Sequence, residues 1–256
     1  MSQKFTLILS LAKNDFKSKY SGSALGVFWA FLQPVVTIFI YWFVFQVAFH
    51  SGPVGDVPYV LWLVAGIVPW FFFSDAWGGI TGCLIDYSFL VKKVAFDISA
   101  LPWVRLLSAF FVHLFFVALI FIVALFCGRP PSFLWFQVLY YMLCAAALAL
   151  GVGRLTAVLM AFFKDTGNIV GIFVQFGFWL TPIFWDISAV PAQIGWIFRL
   201  NPVYYIVDGF RGTFVYGQPF YARPLLGLYF WVVAIALLGL SRLFFKKMKP
   251  HFADTI

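Results

Sequence analysis

The sequence predicts an all-α integral membrane protein. It has six transmembrane helices, an N-terminal amphipathic interfacial helix and two short outer re-entrant helices. Three observations lead there. The 256 residues are 64% hydrophobic and only 10% charged, against about 45–50% and about 25% in soluble domains. A single soluble core cannot hide that much apolar surface, and the mean hydropathy of +0.98 agrees. Six apolar segments approach the roughly 20 residues needed to cross a bilayer. The basic residues gather at the chain ends and in alternate connections.

The elements follow in order. Residues 3–20 put Phe5, Ile8, Leu9, Ala12, Phe16 and Tyr20 on one helical face and Lys13 and Lys17 on another. That pattern predicts a helix lying in the inner interface. The first 25 residues carry four lysines and no apolar run ending in a small-residue cleavage site, so no cleavable signal peptide is expected. The spans are read at Pro34–Phe49 (starting up to a turn earlier), Tyr59–Phe73, Trp103–Cys127, Phe133–Phe163, Ile169–Trp185 and Leu225–Phe245.

Between the second and third spans, residues 78–102 form the longest inner loop. There Asp86, Lys92, Lys93 and Asp97 alternate with Leu90, Val91, Val94 and Phe96. This mixture suits docking to a partner; a solvated connector is the plainer reading. Residues 186–222 are the longest outer segment. Pro191, Pro202 and Pro219 break apolar pieces at Ile194–Leu200 and Val203–Val207, which predicts two short helices that dip into the membrane or lie on it. No internal repeat or linker appears, so residues 1–256 form one domain.

Charge sets the orientation. With both termini inside, the inner segments hold Lys4, Lys13, Lys17, Lys19, Lys92, Lys93, Lys164, Arg242, Lys246, Lys247 and Lys249, and the outer ones only Arg129, Arg199, Arg211 and Arg223. The positive-inside rule places both termini in the cytoplasm. The net charge of +8 is thus assigned to membrane lipids, not to nucleic acid.

Several chemistries are excluded. All nine acidic residues are Asp, which argues against a paired-glutamate catalytic site. There is no GxxxxGK[ST] loop, HExxH or GxSxG. Cys83, Cys127 and Cys144 lack CxxC spacing and His50, His113 and His251 are far apart, so no metal site and no cofactor is expected in this chain. Within the spans, Arg105 is read as reaching the inner interface along its stem. Arg154 either lines an inner opening or pairs with Asp165, and His113 is read as packed and hydrogen-bonded. No carboxylate falls near a span centre, which disfavours ion-driven transport.

Six motifs then resemble one family. They are KSKYSGSALGVFWAFLQPVVTIFIYWFVF (17–45), GIVPWFFFSDA (66–76), FLVKKVAFDISALP (89–102), FFKDTGNIV (162–170), FWLTPIFW (178–185) and LNPVYYIVDGFRG (200–212). In this order they resemble the permease subunits of type-2 ABC exporters, nearest the branch that moves lipid-linked polysaccharides such as O-antigen and teichoic acid. The resemblance implies a homodimer carrying two ATPase subunits, with ATP and Mg bound there, in a bacterial inner membrane. It implies a gate helix within residues 1–25 and a coupling helix at 84–98, where Asp86, Phe89, Lys92, Lys93 and Phe96 meet the ATPase together with Lys164 and Asp165.

It further implies that spans 1 and 5 line the channel. Both carry aromatic stripes at helical spacing: Phe28, Phe31, Phe39, Trp42, Phe45 and Phe49, and Phe173, Phe176 and Trp179. Aromatic faces suit the C–H surfaces of a sliding sugar polymer; packing against lipid or the bundle is the rival reading. Lys13 and Lys17 on the inner side, and Arg199 and Arg211 on the outer, are candidates to hold a pyrophosphate headgroup. The function expected is O-antigen export, with teichoic acid or capsular polysaccharide as alternatives. A drug or lipid exporter, a membrane-embedded sugar transferase and a channel follow behind.

Overall fold

Apolar periodicity with few breakers makes long helices, and in the computed structural model every named element is helical. The structure describes residues 3–92 and 97–255. The chain runs α1 (Gln3–Ser18), α2 (Trp29–Trp42), α3 (Tyr59–Asp86), α4 (Ser88–Val91), α5 (Leu101–Phe126), α6 (Gln137–Phe162), α7 (Thr166–Leu180), α8 (Ala192–Arg199), α9 (Pro202–Phe214), α10 (Pro224–Met248) and α11 (Phe252–Thr255). Short 3-10 turns extend α2, α5 and α6 at their starts, and a π-helical turn, Phe43–Ala48, continues α2. Five helical stretches are long and apolar enough to cross a membrane: Gly26–Ala48, Tyr59–Asp86, Ile98–Phe126, Phe133–Phe162 and Pro224–His251.

The expected fifth span is different. It is the 15-residue helix α7, about 22 Å long at 1.5 Å per residue and short of a hydrocarbon layer of about 30 Å. Pro182 ends it: the residue before a proline is pushed out of the helical region, and Thr181 is extended, with ψ 131°. The second span is longer than expected. Ser74, Asp75, Gly78 and Gly79 interrupt its apolar run, yet α3 continues to Asp86, reaching about 42 Å. Asp75 therefore lies within a spanning helix, against the expectation of none near a centre.

α3 is the central staff of the bundle. It is buried along most of its length and packs against α5, α6, α7 and α9. α6 lies beside it and carries small residues where backbones meet. A side chain at Gly153 would strike Ile80 of α3, and one at Gly151 would strike α10, the small-residue packing of helices in lipid. α9, one of the two short helices expected in the 186–222 segment, is packed into the core. Phe210 and Phe214 are among the most buried side chains, and Asn201 caps the helix by accepting from the Val203 amide.

Candidate functional site

The candidate aromatic track divides in two. Phe28, Phe39 and Phe49 are exposed on the chain, as are Phe173, Phe176 and Trp179 of α7. Phe31, Trp42 and Phe45 are packed instead. Phe31 sits against Phe16 of α1 and Phe115 of α5, Phe45 stacks on Phe184 at 5.0 Å, and the Trp42 indole donates to Gln46. The stripe divides because a helix surface presents only part of its circumference to neighbours. α2 meets the α7 region through Tyr41 and Phe178, residues outside the expected set, and through Phe45 on Phe184. Below the exposed α7 face a cleft of about 680 Å³ is lined by Phe173, Phe176, Trp70, Phe73 and Trp77.

The positive candidates also separate. Lys13 and Lys17 are exposed on α1. Arg199 is exposed and borders a cleft of about 570 Å³ with Asp186, Tyr204, Asp208 and Arg223. Arg211 is different: its residue is only 5% exposed. Its Nε donates to the Trp62 carbonyl at 3.3 Å and its Nη atoms to the carbonyls of Pro182 and Ile183. Its guanidinium lies 3.4 Å over the Trp62 ring. Every face is occupied, so Arg211 closes the chain end left by Pro182 and is not free to hold a headgroup.

At the end of the bundle where α1 meets α3 and α5, Arg105 departs from its expected path to the interface. It is buried, bonds Asp15 of α1 at 2.9 Å and also pairs with Asp86 of α3. Arg154 does not pair with Asp165; it lies 5.3 Å from the Trp103 ring. Lys164 and Asp165 are both exposed in the turn between α6 and α7. In the expected coupling segment, residues 84–86 belong to α3, Phe89 is exposed on the single turn α4, and Lys92 is exposed. Lys93 and Phe96 lie outside the described residues. Asp97 is held by Lys249 at 3.1 Å and by Lys4 at 3.7 Å, and the Lys249 hydrogen bond keeps its carboxyl below the usual range.

His113 is packed but not hydrogen-bonded as expected. It stacks on Phe72 at 4.4 Å, and neither ring nitrogen has a partner among the described residues. It borders a cleft of about 390 Å³ shared with Tyr20, Gln33, Ser74 and Asp75, and Asp75 is bridged by Lys19 at 3.3 Å.

The layout can be set beside known proteins. Residues 6–215 match the profile of the family described as ABC-2 type transporter. The chain belongs to the ABC-2 type transporter family. Its similarity to curated relatives extends over nearly everything described above. Proteins named O-antigen export system permease protein RfbA, from Klebsiella pneumoniae and from Myxococcus xanthus, are each 25% identical over 254 residues, covering 98% of this chain and 95% of theirs. As an ABC-2 transporter chain with several apolar helices, it is a multi-pass membrane permease. The ABC-2 match takes in most of α1 and all of α2 to α9, and α10 lies beyond it.

Proposed function

We propose that this chain is the membrane-spanning permease of an ATP-driven exporter that carries a lipid-linked polysaccharide, O-antigen in the first instance, across the bacterial inner membrane. The observation that carries the reading is the match over 98% of the chain to permeases named for O-antigen export. Those names favour O-antigen over teichoic acid, capsule, drug or lipid substrates.

In this reading α7 and the turn at 181–185 complete a sixth crossing, α8 and α9 enter from the outer side, and both termini are cytoplasmic. Two copies assemble with two ATPase subunits. The chain has no phosphate-binding loop, so ATP and Mg belong to those subunits. Their contact is placed on the inner turns, at α4 with Phe89 and Lys92 and at Lys164 and Asp165.

The exposed faces of α2 and α7 supply the track. Phe28, Phe39, Phe49, Phe173, Phe176 and Trp179 offer flat apolar surfaces to the C–H faces of successive sugars. Such contacts are weak and lack strict register, which suits a polymer that must slide. Phe31, Trp42 and Phe45 support the track from behind. Lys13 and Lys17 meet the anionic headgroup on the inner side, and Arg199 meets it outside.

Deleting the gene and measuring polymer at the cell surface tests the reading. Loss of surface O-antigen with intracellular accumulation of the lipid-linked polymer, reversed by the intact gene, is expected. Unchanged surface polymer would overturn it.

A further inference from the structure

Arg105 sits where three elements of different sequence origin meet. Its Nη1 lies 2.9 Å from Asp15 Oδ1 of α1, and its Nη2 pairs with Asp86 at the last turn of α3. Tyr87, one residue further, donates its hydroxyl to the same Asp15 oxygen at 2.6 Å, and Arg105 lies 5.1 Å over the Tyr87 ring. At the far end of the same inner loop, Asp97 is bridged to Lys4 of α1 at 3.7 Å. The loop therefore grips α1 at both of its own ends. Lys4 and Asp15 are eleven residues apart, about 16 Å along a helix. α1 already packs on α5 through Phe16 and Phe111; two charged attachments at this spacing tie it to the ends of α3 and of the loop as well.

Stability does not explain the cluster. Two carboxylates share one guanidinium, Asp15 and Arg105 are buried, and Asp15 Oδ2 and Arg105 Nε have no hydrogen-bond partner among the described residues. Buried ion pairs contribute little net stability, and well-packed apolar groups hold helices together as well. A forked cation between two acids fixes which groups meet and at what angle.

We propose that Arg105, with Asp15, Asp86 and Tyr87, is the positioning link that makes α1 move as one body with the last turn of α3 and with α4. Movement imposed on α4 by a cytoplasmic partner then reaches α1 undiminished. The Lys4–Asp97 pair is the weaker second attachment, since both its side chains are largely exposed. The proposal rests on the ATPase-coupled reading above, but its core measurement does not require transport.

Spin labels placed at Ser10→Cys on α1, which is exposed, and Ser88→Cys on α4, which is half-buried, with Cys127→Ser, report the distance from α1 to α4 in the purified permease–ATPase complex. In the otherwise native chain the distance should be the same without nucleotide and with ATP bound. In Asp15→Asn it should broaden and shift on ATP binding. Export per ATP hydrolysed should fall about tenfold, the size of a typical coupling free energy, while the ATPase rate stays near that of the unmodified complex. Where Asp15→Asn does not accumulate, Tyr87→Phe removes one hydroxyl and should show the same change at smaller amplitude. A label distance that changes with ATP in the native chain overturns the link, as does unaltered export per ATP in Asp15→Asn. A constant label distance in the native chain with a distance that shifts in Asp15→Asn, together with no polymer export by the unlabelled native complex, would instead overturn the export reading and leave the link standing.

Discussion

Arg211 illustrates what a single side chain does in a setting without water. The turn after α7 leaves the carbonyls of Pro182 and Ile183 with no helical donors, and in lipid or a dry core each unpaired group is costly. One guanidinium supplies both and covers the Trp62 ring as well. Arg211→Gln should therefore lower stability by about 3 kcal/mol, from lost bonds to buried carbonyls. Arg211→Lys should recover little of it, because an ammonium cannot make the same fork. Thermal unfolding in detergent measures this, and an unchanged midpoint would show the bonds to be dispensable. Sequence reasoning placed Arg211 at an exit because its partners are backbone carbonyls, which leave no mark in a sequence. Arg105 escaped for a related reason: Asp15 lies ninety residues before it, and nothing local announces the pair.

At the scale of elements, the apolar periodicity made most helices legible. α5, α6 and α10 lie within a few residues of their expected bounds because nothing in them competes with helix. α3 runs past the expected Phe73 because packing against α5 and α6 keeps Ser74, Asp75 and a glycine pair helical, although they resemble a loop in sequence. α7 was read long because Pro182 was counted within an apolar run. The aromatic stripes were legible as stripes, but not which rings faced inward, since that depends on neighbours remote in sequence. This gives a contrast to test. Phe176→Ala and Trp179→Ala alter exposed rings, so unfolding should be nearly unaffected while surface polymer falls severalfold. Phe210→Ala empties a fully buried position of α9 and should cost about 3–5 kcal/mol. Normal export from the α7 double variant at normal protein level would remove these rings from the track.

At the scale of the whole molecule, composition and charge asymmetry carried the class of protein, and the family match agrees over residues 6–215. Orientation rests on the lysines. A reporter enzyme active only in the cytoplasm, fused after Ile256, should be active, and one active only outside should be silent; the reverse would invert the permease. Assembly leaves a weaker trace in one chain, because the exposed rings of α2 and α7 look alike whether lipid, a second copy or a sugar polymer covers them. Export itself is tested by reconstitution. The permease, purified with its ATPase subunits, would be placed in liposomes loaded with lipid-linked O-antigen polymer in the leaflet facing the ATPase, and polymer reaching the opposite face would be followed with a membrane-impermeant lectin. ATP should drive the polymer across, with no transfer when ATP is withheld or when the ATPase cannot hydrolyse it. ATP hydrolysis without polymer transfer, or transfer at the same rate without ATP, would contradict ATP-driven polysaccharide export by this chain.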